Sequence, residues 1–189
     1  GLGGGSSNAA TTLSALNRLW NLGLSKNQMS DMAARLGSDV SFFLTGPAAV
    51  GRGRGELLCD IDTLGGLPLV LVVPPFHVSS AWVYSRLNLE LTKPCDDISM
   101  IQTIISTKKV DHWASHLRND LEAAVIAGYP LIEQIKGELI ERGAVTALMS
   151  GSGPCVFGVF KDLRVARSAA NALEKGGRRV ITTRTFDDP

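Results

Sequence analysis

From residue 67 onward the apolar pattern switches repeatedly between a period of two and a period of 3.6 residues, and the order of those switches restricts the fold more than any other feature. A strand is expected over 69–73, within an apolar run at 67–76 that is broken by Pro68, Pro74 and Pro75. Helices follow over 81–86, 98–105, 121–127 and 131–140, the last ended by Gly143. Then come a strand over 145–149, the turn Ser150-Gly151-Ser152-Gly153, a strand over 156–160, a helix over 163–174 and a strand over 179–185. Collapsed to β, several α, β, β, α, β, this is the order of a split βαβ, ferredoxin-like layer with extra helices inserted into its first crossover.

Ahead of this layer lies material of a different kind. Gly1-Leu2-Gly3-Gly4-Gly5-Ser6-Ser7 runs directly into Ala9, Ala10, Leu13, Leu16 and Trp20 at helical spacing, with Ser6 or Ser7 as the expected N-cap. A second helix is marked by Met29, Met32, Ala33 and Leu36 and is stopped by Gly37, where a left-handed residue usually ends a helix. Ser38-Asp39 then caps a short apolar segment over 40–44, and a hairpin or bulged loop is expected around Gly51-Arg52-Gly53-Arg54-Gly55. Gly65-Gly66 separates the two patterns, which places domains at 1–66 and 67–189 in an α+β chain.

Composition removes several classes of function. With 44% hydrophobic residues over 189 positions the chain has material for a real core. Nineteen Lys and Arg against eighteen Asp and Glu leave +1, so no field across the whole molecule recruits nucleic acid or an acidic membrane, and any anion site is local. The 67–76 run is too short to span a bilayer. Cys59, Cys95 and Cys155 are an odd number without a CxxC, which fits a reducing, cytoplasmic compartment better than a disulfide framework or zinc site.

Gly3-Gly4-Gly5-Ser6-Ser7-Asn8 at a helix start is the strongest chemical signal. Glycines let backbone wrap an anion, successive N–H groups point into the concavity and the helix adds the positive end of its dipole, so phosphate is the expected guest. The run is neither a Walker A sequence nor a GxGxxG in a βαβ setting. Ser150-Gly151-Ser152-Gly153-Pro154 reads by itself as an ordinary hairpin loop, while two such loops in one chain favour a shared nucleotide site. Asp39 reads either as a helix cap or as a carboxylate that accepts a hydroxyl proton beside a phosphate loop. Among His77, His112 and His116 the i, i+4 pair lacks the Glu of an HExxH and reads as a solvated helix face. Arg164, Arg167, Lys175, Arg178 and Arg179 read the same way, since no aromatics interleave.

Together, Gly1-Leu2-Gly3-Gly4-Gly5-Ser6-Ser7-Asn8-Ala9-Ala10-Thr11, Leu36-Gly37-Ser38-Asp39-Val40 and Ser150-Gly151-Ser152-Gly153 resemble the second motif, the catalytic aspartate segment and the third motif of the GHMP small-molecule kinases. Asn119-Asp120-Leu121-Glu122 and Gly151-Ser152-Gly153-Pro154-Cys155-Val156-Phe157 are most similar to the branch that acts on a cytidine-diphosphate-linked polyol. The resemblance implies a two-domain GHMP kinase fold, a partial N-terminal ATP-binding domain plus a ferredoxin-like C-terminal domain. It implies ATP and Mg²⁺ as cofactors and a small-molecule acceptor, with no nucleic acid or membrane partner, and leaves metal ligands and oligomeric state open. Carried over, Gly3, Gly4, Gly5, Ser6, Ser7 and Asn8 cradle the ATP phosphates and Asp39 is the base. Gly151, Ser152 and Gly153 close the substrate side, and Tyr84 matches the aromatic that stacks on cytosine. Ser38 and Ser41 stand where family members often carry Ala and Pro.

The family's first motif, a strand bearing an active-site lysine, has no counterpart in these residues. The resemblance therefore implies a kinase fragment, inactive by itself, with unpaired sheet edges and exposed apolar surface. A GHMP kinase with another acceptor, and a noncatalytic nucleotide-binding module, are the competing readings.

Overall fold

The computed structural model describes residues 1–63, 65–87 and 110–186, without the side chains of residues 112 and 113. The helix expected over 98–105, Cys95 and the His112 side chain therefore lie outside the described residues. Two compact units are present. Gly1–Leu2 with the described residues after Thr63 forms one, and Gly3–Thr63 forms the other.

In the larger unit, β3 (Pro68–Val73), β4 (Thr146–Met149), β5 (Val156–Val159) and β6 (Arg179–Arg184) form a sheet in the order β4-β5-β3-β6, every neighbour antiparallel. This is the expected ferredoxin-like layer. Central β3 pairs with both β5 and β6, Leu71 standing opposite Phe157 on one side and Ile181 on the other. Alternation along β3 sorts its side chains by face. Val70 and Val72 enter the main core, while Leu69 joins Phe157, Val145 and Val159 in a second cluster.

Helices α3 (Ser80–Ser85), α4 (Val110–Ala114), α5 (Glu122–Gly128) and α6 (Leu131–Glu141) fall between β3 and β4, and α7 (Leu163–Leu173) between β5 and β6. Helix α7 buries Ala166, Ala169, Ala170 and Leu173, one stripe at helical spacing, and Asp162 caps it by accepting from the Arg164 and Val165 N–H groups. Those bonds, the Arg164 amide first, hold the Asp162 carboxyl below its usual range. Ile132, Ile135 and Leu139 of α6 complete the main core. Helix α4 was not expected from sequence, because five residues are too few to display a period.

The basic residues near the C-terminus do not form one solvated helix face. Helix α7 ends at Leu173, so Lys175, Arg178 and Arg179 lie beyond it, and Arg178 is buried against Glu138 with Nη1 at 2.8 Å from Oε2. Nor does His116 share a helix with residue 112, since α4 ends at Ala114.

The smaller unit contains α1 (Gly4–Leu19), α2 (Lys26–Leu36), a short 3-10 helix (Ser41–Leu44) and an antiparallel hairpin of β1 (Ala49–Arg52) and β2 (Leu57–Asp60). Its core is small: Ala10, Ala33 and Val40, with Ala9, Leu13 and Leu44 against them. Helix α2 starts in a capping box, Ser25 and Gln28 satisfying each other's backbone N–H groups. Asn17 ties the α1–α2 connection by accepting from the Leu24 N–H and donating to its carbonyl. Two boundary expectations change. Gly37 ends α2 with φ 172°, which is extended rather than left-handed backbone. The apolar stripe of α1 does not extend to Trp20, which is exposed together with Leu19 and Leu22.

Candidate functional site

Helix α1 begins one turn earlier than its serines suggest. Its N-cap is Gly3, at φ 64° and ψ 21°, not Ser6 or Ser7, and no side chain caps it. The left-handed conformation disfavours a side chain at Gly3, and a Cβ there would stand 2.9 Å from Phe43 Cζ. The first helical bond runs from the Ser7 N–H to the Gly3 carbonyl at 2.8 Å, so the N–H groups of Gly4, Gly5 and Ser6 have no helical acceptor. No acidic residue occupies the first turn, and a Cβ at Gly4 or Gly5 would meet nothing within 4 Å. The helix thus presents an open, uncapped positive end, with Gly4 and Gly5 already helical rather than left-handed.

Asp39 lies in the turn between α2 and the 3-10 helix and is exposed. It does not cap. Val40 occupies the N-cap position of the 3-10 helix, no side chain bonds there, and the Asp39 carboxylate has no partner among the described residues. The contact of Gly3 with Phe43 sets the start of α1 against the 3-10 helix that opens two residues after Asp39. Gly3 and the Asp39 segment are therefore neighbours in one unit.

In the larger unit, the β4–β5 loop is closed by the Ser150 N–H on the Cys155 carbonyl and the Gly153 N–H on the Ser150 carbonyl. Gly151 and Gly153 have φ 53° and 78°, and a Cβ on Gly153 would lie 2.6 Å from Met149 Sδ. Gly1 rests on this loop, its carbonyl accepting from Ser150 Oγ at 2.6 Å. The Ser152 and Ser80 hydroxyls are 2.7 Å apart. Ser80 opens α3 and Tyr84 follows it one turn later on the same face, exposed rather than packed in a core. The fold thus brings Ser152 and the helix carrying Tyr84 together.

Two further residues bind the loop, and their positions were legible only as family spelling. Asn119 Nδ2 donates to the carbonyls of Met149 and Gly151, each at 2.8 Å, and Glu122 accepts from the Met149 N–H at 2.6 Å. Glu122 also holds Lys136 at 2.7 Å. Burial works against the charge on Lys136, yet the hydrogen bond and charge of Glu122, with Glu133 beside it, raise its affinity for the proton above the usual lysine range. Cys155 is buried in the core, and burial pushes its thiol up, away from the thiolate form. No group of three or more His, Cys, Asp or Glu residues among those described is arranged to hold a metal ion, and no described helix is long and apolar enough to cross a membrane.

An α+β chain with an uncapped glycine-led helix in one unit and a ferredoxin-like layer in the other has the architecture of a GHMP kinase. Residues 1–47 match the GHMP kinases N terminal domain and residues 106–179 the GHMP kinases C terminal family, and the chain belongs to the GHMP kinase family. It is 44% identical over 188 residues to the 4-diphosphocytidyl-2-C-methyl-D-erythritol kinase of Pelotomaculum thermopropionicum, covering 99% of this chain and 65% of that protein. It is 45% identical over 173 residues to the kinase of the same name from Geobacter metallireducens, covering 92% of this chain and 60% of that one. A crystal structure of 4-(cytidine 5'-diphospho)-2C-methyl-D-erythritol kinase superposes with a TM-score of 0.82 at 31% identity, over 98% of this chain and 66% of the other. Homoserine kinase from Cytophaga hutchinsonii shares the fold, with a TM-score of 0.77 at 16% identity over 98% of this chain and 66% of that one. The chain spans less than two thirds of the length of these relatives.

Proposed function

We propose that the chain acts in the ATP-dependent phosphorylation of the 2-hydroxyl of 4-diphosphocytidyl-2-C-methyl-D-erythritol, a step of non-mevalonate isoprenoid precursor synthesis in the cytoplasm. The observation that carries the phosphoryl-transfer part is the open, uncapped start of α1, where three backbone N–H groups and a glycine surface await an anion. The names of relatives at 44% and 45% identity support the acceptor. Residues 1–66 contribute the ATP-binding domain and 67–189 the C-terminal domain.

In this reading Gly3, Gly4, Gly5, Ser6, Ser7 and Asn8 take the ATP phosphates. The acceptor oxygen forms a bond to the γ-phosphorus as the bond from that phosphorus to the β,γ-bridging oxygen breaks, ADP leaves, and the hydroxyl proton passes to Asp39. An exposed carboxylate without a partner suits that task. Tyr84 offers an exposed ring to the cytosine, and Gly151, Ser152 and Gly153 bound the acceptor. Mg²⁺ carried on the nucleotide phosphates would neutralise phosphate charge when bound.

The test is ADP release by the intact protein with ATP and the cytidine-linked polyol, beside homoserine and mevalonate as acceptors. Turnover confined to the cytidine-linked acceptor is expected. No turnover, or equal turnover with homoserine or mevalonate, overturns the assignment.

A further inference from the structure

The carbonyls of Met149 and Gly151 both face one side chain. Asn119 Nδ2 donates to each at 2.8 Å while its Oδ1 accepts from the Leu121 N–H at 3.0 Å, so both amide donors are used and its orientation is fixed. Three residues later Glu122 accepts from the Met149 N–H at 2.6 Å, so both polar groups of Met149 are held from the same segment. The bond from Asn119 to Gly151 has a geometric consequence. In a trans peptide the C=O and N–H point in opposite directions, so drawing the Gly151 carbonyl toward Asn119 turns the Ser152 N–H away from it. The N–H groups of Gly151 and Ser152 have no acceptor among the described residues, whereas those of Ser150 and Gly153 are used within the loop.

We propose that Asn119, steadied by Glu122, is a positioning residue that aims the Ser152 N–H at an oxygen of the bound acceptor. This rests on the assignment of the loop to the acceptor made above. Asn119 itself touches no substrate, and its effect travels through the Gly151–Ser152 peptide.

Asn119→Asp tests this in the intact protein, because it keeps the acceptor for the Leu121 N–H but sets an oxygen against the two loop carbonyls. The Michaelis constant for the cytidine-linked acceptor is expected to rise about tenfold or more, with that for ATP within about twofold, since only one of the two ligands loses an aimed donor. Amide exchange at Gly151, Ser152 and Gly153 accelerates about tenfold while β5 exchanges as in the wild type. Unchanged loop exchange in a folded Asn119→Asp variant overturns the proposal, as does a parallel rise in both Michaelis constants. Unfolding of both Asn119→Asp and Asn119→Ala also overturns it, for the residue would then serve the fold. If the wild type fails to phosphorylate the cytidine-linked acceptor, the functional assignment falls, and the exchange comparison still judges the role of Asn119.

Discussion

Asp39 was open to two meanings in the sequence, a cap or a base, and the local backbone removes the first. With Val40 at the N-cap of the 3-10 helix and no partner on the carboxylate, Asp39→Asn and Asp39→Ala have no cap to lose. Both are expected to leave the thermal midpoint unchanged and to lower kcat by roughly 10²–10⁴-fold, the usual contribution of a general base. A stable Asn variant with wild-type kcat would remove Asp39 as the base. The glycines divide in the same way. Gly3 is needed for its left-handed backbone, whereas Gly4 is helical with open space beside it. A Cβ at Gly4 meets nothing within 4 Å, and Gly4→Val trades a poor helix former for a better one, so folding is expected to survive. A branched side chain at an exposed N–H row still occupies the room that phosphates need. Calorimetric titration with a nonhydrolysable ATP analogue is expected to show lost affinity with an unchanged circular dichroism spectrum.

At the scale of elements, Glu138 of α6 is bound by Arg178 in the segment before β6, with Gln134 at 2.9 Å and Lys175 at 3.3 Å. The Arg178 hydrogen bond outweighs burial and takes the Glu138 carboxyl from 4.5 to about 2. A folded value below the unfolded one means that the unfolded chain binds the extra proton. The stabilisation is thus complete above about pH 4.5 and is lost as pH falls toward about 2. Arg178→Gln leaves a buried carboxylate with weaker partners, at a cost of about 3 kcal/mol, the low end for a broken buried pair because Lys175 and Gln134 remain. The thermal midpoint is expected to fall by roughly 10 °C at pH 7 and the gap to the wild type to narrow at pH 2.5. An equal gap at both values would separate the loss from the carboxylate. This pair also marks the limit of sequence reading. Every strand of the larger sheet and helix α7 could be placed from the local apolar pattern, because the strands are short apolar runs bounded by turn residues and α7 buries one stripe at helical spacing. Arg178 was misread as solvated and Asn119 went without a role, because their partners lie 40 and 30 residues away. The cap of α1 was misplaced for another reason: serine is the better cap in general, but Phe43 and the left-handed turn favour a residue without Cβ at position 3.

Across the whole molecule, the architecture does not choose the acceptor. The chain shares its fold with a homoserine kinase at an identity that carries the fold alone. Discrimination must come from side chains that the common scaffold displays. Tyr84 is such a side chain: it is 60% exposed on α3, one turn beyond the serine that meets Ser152, and it supports no core. Removing the ring is expected to be almost silent in stability, within about 0.5 kcal/mol, as for surface substitutions generally. If the ring stacks on cytosine, Tyr84→Ala forfeits about 1–3 kcal/mol of base–aromatic contact, the range found for bases on aromatic side chains in nucleic-acid complexes. The Michaelis constant for the cytidine-linked acceptor then rises roughly 5- to 150-fold while that for ATP stays unchanged, and Tyr84→Phe, which keeps the stacking face, restores it. Steady-state kinetics of the two variants with both substrates decide the point. An unchanged acceptor constant in Tyr84→Ala would exclude this ring from cytosine recognition, and a fall in thermal midpoint with equal effects on both constants would make Tyr84 a support of the α3 helix.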